Sequence, residues 1–147
     1  YLAARLDSRT LLRQQGYERA MKEAGLQPVT VSTAEHSSFT RGAQLMAQAL
    51  SLHPQTNGVF CTNDDIAIGA MLHCRQTGKQ IPADMAVVGY NGLDIGGATT
   101  PVLTSVLTPR EEMGEQAARL LLASLQGEAV AEKLITLPHS LTAGETL

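Results

Sequence analysis

Along this chain, short apolar runs alternate with longer stretches in which apolar residues return every third or fourth position, the pattern of strands followed by helices. YLAA reads as a strand, and Asp7 or Ser8 caps a helix over 9–24 whose rows are Leu12, Gly16, Ala20, Ala24 and Leu11, Tyr17, Met21. Gly25 stops it. PVTVS is the next strand, and the helix after it carries Leu45, Met46, Ala49 and Leu50 until His53-Pro54 ends it. GVFCT over 58–62 is a buried strand. A helix over 65–76 then sets Ile66, Ala70 and Cys74 in one row, with Gly78 beyond its end, and Pro82 opens the strand AVVGY over 86–90.

After Pro101 the rhythm changes. LTSVL is a further strand, and Thr108-Pro109-Arg110-Glu111 has the form of a capping box with Pro at the first helical position. The spacing predicts a helix over 109–126 with Met113, Ala117, Leu120, Leu121 and Leu125 as its inner stripe. The tail LITLPHSLTAGETL reads as one or two extended pieces bent at Pro138. Strands separated by helices cross over right-handedly into a parallel sheet, so the chain is of the α/β class, a parallel sheet with flanking helices. Runs 58–62 and 86–90 are expected side by side in it.

Composition narrows this. Among 147 residues 44% are hydrophobic but only 3% aromatic, with no Trp, so aliphatic side chains and Ala must fill one modest core. The formal charge of -3 and the absence of a Lys/Arg cluster leave no footprint for nucleic acid on this segment. Cys61 and Cys74 fall in a predicted strand and a predicted helix, and read as free thiols of a reducing compartment. No apolar run approaches the roughly 18 residues of a membrane span. The chain starts at Tyr1 without Met, inside a strand, so upstream sequence is expected.

In an open parallel sheet ligands sit beyond the carboxyl ends of the strands, and two predicted strands end there in a side-chain amide, Asn63 and Asn91. Asn63-Asp64-Asp65 opens a helix, where one of the three serves as the cap, while Asn63 also offers a donor and an acceptor to a ligand hydroxyl. Asn91, before Gly92, has the plain alternative of a turn residue, and Arg13, on a helix, that of a solvated side chain. His36, His53, His73 and His139 have no metal-like spacing, and no nucleophile elbow or phosphate loop is present. No catalytic constellation emerges, and Cys61, in an apolar strand, reads as inert core.

Taken in order, RTLLRQQGYERAMKEAGL, TNDDIAIGA, IPADMAVVGYNG, PVLTSV and EEMGEQAARLLL resemble the effector-binding domain of the LacI/GalR family of bacterial transcription repressors across nearly all of the chain. The resemblance implies a periplasmic-binding-protein-like fold of two flavodoxin-like lobes, of which this is a part: 1–101 in the C-terminal lobe, 102–133 returning to the N-terminal lobe, and 134–147 in a final pass into the C-terminal lobe. The helix over 109–126 would then find its partners in the absent lobe, and is expected to be exposed, swapped or disordered here. A DNA-binding headpiece would lie upstream, in a cytoplasmic homodimer.

By the same resemblance Arg13, Asn63 and Asn91 are effector-binding, and Ile68, Leu72 and Ile95 lie at a dimer interface, though all three also read as ordinary core. Many sugar-binding relatives place Asp where Asn91 stands. An amide there removes one negative charge beside Arg13 and frees the guanidinium for a carboxylate or phosphate, so an acidic sugar such as gluconate is the expected effector. Asp94 is near enough in sequence to restore that charge. The alternative class, a periplasmic solute-binding protein of the same architecture, would carry a signal peptide in place of a helix-turn-helix.

Overall fold

The computed structural model describes residues 1–128, 132 and 134–147. Its elements are β1 (Leu2–Ala4), α1 (Ser8–Glu23), β2 (Val31–Thr33), α2 (Phe39–Leu52), β3 (Gly58–Phe60), α3 (Asp64–Gln76), β4 (Ala86–Asn91), α4 (Asp94–Gly97), β5 (Thr104–Leu107), α5 (Arg110–Leu125) and β6 (Ser140–Leu141). β1 pairs with β2, and β3, β4, β5 and β6 are hydrogen-bonded in that order. A parallel bridge between Leu2 and Cys61 joins the two sets, so the strands follow the order β2-β1-β3-β4-β5-β6. All pairings are parallel except the last, in which the tail returns antiparallel to β5. Gly58 faces Ala86 and Phe60 faces Val88, the adjacency expected of the two central runs.

The core lies between this sheet and the pair α2 and α3. Ile66, Ala70 and Cys74, the predicted row, are fully buried, as are Met46, Met85 and Val87. The two helices touch backbone to backbone at Gly42 and Gly69: a Cβ on Gly69 would lie 2.8 Å from the amide nitrogen of Ala43, and one on Gly42 2.9 Å from Ile66 Cα. Only glycine permits that approach. Ile68 also belongs to this core at 6% exposure, so it is not available to a partner, whereas Leu72 and Ile95 are exposed.

Three expectations need correction. In α1 Leu11 and Leu12 do not face inward; both are exposed, and Thr10 is its one buried residue, because the helix turns Thr10 and Arg13, together with Tyr17 and Met21 of the second predicted row, toward the sheet. Polar anchors hold it: the Tyr17 hydroxyl donates to the Val29 carbonyl at 3.2 Å and accepts the Val29 N–H at 3.1 Å. At α5 no capping box forms. Pro109 stands at the cap without a side-chain bond, and the Thr108 hydroxyl instead donates to the Asn91 carbonyl at 3.4 Å.

The third concerns the segment assigned to a second lobe from residue 102. β5 lies parallel to β4 in register, Val88 with Thr104 and Asn91 with Leu107, so the chain stays in this sheet through Leu107 and leaves it only at Thr108. α5 then buries no residue. Leu121 and Leu125 are 61% and 75% exposed, and Leu120 is half-buried. The expected boundary at 133 lies outside the described residues. Beyond it the tail rejoins the sheet, where the buried Thr146 accepts the Thr104 N–H at 2.9 Å and donates to the Val87 carbonyl at 2.5 Å.

Candidate functional site

Every strand from β1 to β4 delivers its following loop to one edge. The β1–α1 loop supplies Arg5 and Asp7, the β2–α2 loop His36 and Ser37, the start of α3 after β3 supplies Asn63 and Asp65, and β4 ends in Asn91. With Arg9 and Arg13 from α1 these line a polar cavity of about 290 Å³. Arg13, Asn63 and Asn91, drawn from three elements, therefore come together. Arg9, Arg13 and Asn91 are shared with a larger cleft of about 930 Å³, whose opposite wall is the Met113, Ala117 and Leu120 face of α5.

Arg13 is fixed without a carboxylate. Its guanidinium lies 3.8 Å from the centroid of the Tyr90 ring and donates to the Thr62 carbonyl at 2.9 Å, which hold the side chain across the sheet edge. Among the described residues its charge has no ion-pair partner, whereas Arg5 and Arg9 both lie against Asp7, at 3.9 and 2.9 Å. Asp7 is the cap of α1; the Thr10 N–H, then the Arg9 guanidinium, hold its carboxyl down at about 2. Asp94 is exposed at the start of α4 and lines neither cavity, so it does not restore the charge that Asn91 lacks.

Asn63 caps α3, as one of the three polar residues at this junction was expected to, and its amide is partly engaged within the chain. Its carbonyl caps α3 by accepting the Ile66 N–H at 3.1 Å, and its amide donates to the Ser37 hydroxyl at 2.8 Å, leaving one N–H of the amide unengaged. Asn91 ends β4 in an unusual backbone conformation. Its φ of 117° lies in the region that favours glycine, a conformation that costs roughly 1–3 kcal/mol and persists only where the surroundings enforce it. Arg110 covers its backbone, donating to the Asn91 carbonyl at 2.5 Å and the Gly92 carbonyl at 3.4 Å. Arg5, Asp7, His36, Ser37 and Tyr90 were not singled out from the sequence. The strand-end rule that marked Asn63 and Asn91 also covers the loops after β1 and β2, and would have found the first four.

Cys61 is fully buried in the sheet and burial pushes its thiol far up, so the thiolate is not populated. Among the described residues no group of three or more His, Cys, Asp or Glu is placed to hold a metal ion, and no helix is long and apolar enough to cross a membrane.

A parallel α/β layer with a polar, arginine-bearing cavity along its carboxyl edge defines one lobe of a ligand-binding domain. All of residues 1–147 match the periplasmic binding protein-like domain family, and the chain belongs to it. Within that family it aligns with the effector-binding domain of LacI-type transcription regulators. It is 48% identical over 147 residues to the HTH-type transcriptional regulator GntR of Escherichia coli strain K12, covering 100% of this chain and 44% of the relative, and 40% identical to IdnR of the same strain over the same shares. Among solved structures, transcription regulator GntR from Chromobacterium violaceum superposes with a TM-score of 0.95 at 35% identity, over 99% of this chain and 54% of that one. A LacI family regulator from Arthrobacter sp. FB24 in complex with lactose gives 0.86 at 26% identity, over 99% and 56%. The chain thus spans about half the length of the proteins it matches.

Proposed function

We propose that this chain is the effector-reading part of a cytoplasmic, DNA-binding transcription regulator, and that its effector is an acidic sugar derivative, gluconate foremost. The observation that carries the effector class is the guanidinium of Arg13, which has no ion-pair partner among the described residues and is pinned over Tyr90 beside Asn91, in a cavity where Arg5, Arg9 and Arg13 outnumber Asp7 and Asp65. A carboxylate meeting Arg13 takes a charge-assisted, two-pronged contact, and the amides of Asn63 and Asn91 supply polar partners for hydroxyls. The likeness to GntR supports the same class.

The scheme of lobes follows, with its crossing moved to Thr108. Residues through Leu107 and the returning tail form one lobe, and α5 belongs against a second lobe outside this chain, which would close the 930 Å³ cleft over the ligand. Pairing of two copies draws on the exposed Leu72 and Ile95, without Ile68. The full-length relatives are regulators rather than enzymes, and no step beyond binding is assigned to the site.

A thermal-shift panel of gluconate, other aldonates and neutral hexoses on the full-length protein tests this, because a ligand bound only by the native state stabilises it by RT ln(1 + [L]/Kd), about 2.7 kcal/mol at a hundred times Kd. Gluconate is expected to raise the midpoint more than glucose at equal concentration. A glucose shift as large as that of gluconate would remove the anion from the assignment.

A further inference from the structure

Asp64 is the first residue of α3 and is fully buried, yet the cap of that helix is already made by Asn63. Its carboxylate points the other way, to the turn that follows β4. Oδ2 accepts the Leu93 N–H at 2.6 Å, and Oδ1 accepts the Ser105 hydroxyl from β5 at 2.5 Å. The Ser105 oxygen in turn accepts the Gly92 N–H at 3.1 Å. Two successive backbone N–H groups, those directly after Asn91, therefore end on one carboxylate, one of them through a hydroxyl. β4 makes room for this arrangement: a Cβ on Gly89 would collide with Asp64 Oδ1, so the strand can carry no side chain there.

Asn91 is the residue that this tie serves. It holds a φ of 117°, which an L side chain rarely adopts, and it lines the cavity together with Arg13 and Asn63. The bonds to Gly92 and Leu93 fix the chain on its far side, and Arg110 grips the Asn91 and Gly92 carbonyls from the solvent side. We propose that Asp64 and Ser105 are positioning residues for ligand recognition: through the 92–93 backbone they hold Asn91 in the conformation that presents it to the ligand. The two strand-end asparagines are thereby set by one buried connection, Asn63 preceding Asp64 in sequence and Asn91 preceding the N–H groups it binds. This rests on the assignment of Asn91 to the effector site.

The test uses the full-length protein, with Ser105→Ala as the mild variant and Asp64→Asn as the stronger one. Gluconate is titrated calorimetrically into wild type, Ser105→Ala, Asn91→Ala and the double variant Ser105→Ala/Asn91→Ala. Loss of the two hydrogen bonds through which the Ser105 hydroxyl positions the turn is expected to weaken gluconate about tenfold when Asn91 is present and to add nothing when it is absent. An equal loss in both backgrounds, or none in either, overturns the proposal, since a general packing defect does not depend on Asn91. Crystal structures of the unliganded variants provide a reading independent of gluconate. Asn91 is expected to leave the positive-φ region in Ser105→Ala or Asp64→Asn, and an unchanged 91–93 turn in both overturns the positioning role. Should wild type not bind gluconate at all, the effector assignment fails, and the turn geometry still decides whether Asp64 and Ser105 position Asn91.

Discussion

Asn63 joins folding and recognition in one side chain, and its two ends can be separated. Asn63→Asp keeps an oxygen to cap Ile66 N–H but loses the donor to Ser37, whereas Asn63→Ala loses both. Urea denaturation should therefore show Asn63→Ala less stable by about 0.5–2 kcal/mol and Asn63→Asp nearly unchanged, with ligand binding weakened in each. Asp7 carries a pH dependence. Its folded-state value of about 2 lies below the ordinary 3.8, so its stabilisation is fully present above about 4 and is lost as pH falls through 2. Wild type should lose stability across that window, and Asp7→Asn should flatten its share of the loss; parallel curves for the two proteins would contradict the assigned bonds. At this scale the sequence marked Asn63 and Asn91 by residue type and strand-end placement, and Arg13 only by the family resemblance. It left hidden what each is bonded to, because the Tyr90 ring, the Thr62 carbonyl and Ser37 reach them from other elements.

Period and punctuation located the elements well where packing and pattern agree. The row Ile66, Ala70, Cys74 is fully buried, and GVF and AVV pair in parallel with Val59 and Val87 buried, because short apolar runs and a helix with one apolar row have few other places to go. α1 was legible as a helix but only partly in its facing: Tyr17 and Met21 of a predicted row turn inward, while Arg13 joins them and Leu11 and Leu12 are left exposed. The crossing of α2 over α3 was not legible at all, although Gly42 and Gly69 stand in the sequence; a helical glycine signals nothing until its neighbour is known. Gly69→Ala drives a methyl into the α2 backbone and is expected to destabilise by at least about 1–3 kcal/mol, measured by chemical denaturation. Gly16→Ala, in open space on α1, should instead be neutral or stabilising by up to about 1 kcal/mol. A reversal of that order would show the two helices do not cross there.

For the whole molecule, the unfinished face is α5. Sixteen residues of helix with Leu121 and Leu125 mostly exposed make a poor surface for a monomer and a natural contact for a second lobe. In the full-length protein Leu121→Ser or Leu125→Ser should lower stability by about 1.5–3 kcal/mol each, the scale of burying a leucine; no change would place α5 on the outside. The capping-box motif predicted the helix start and missed its exit geometry, because β5 stays beside β4 and the turn at Thr108 is held by Asn91.

The central claim is that Arg13 reads an anion beside an amide at the end of β4. Isothermal titration of full-length wild type, Arg13→Ala and Asn91→Asp with gluconate and with glucose tests it most directly. Arg13→Ala should weaken gluconate by about 1.5–3 kcal/mol, the range for a hydrogen bond to a charged group, and Asn91→Asp should weaken gluconate while leaving glucose unaffected or improved. Equal gluconate affinity in all three proteins would contradict it.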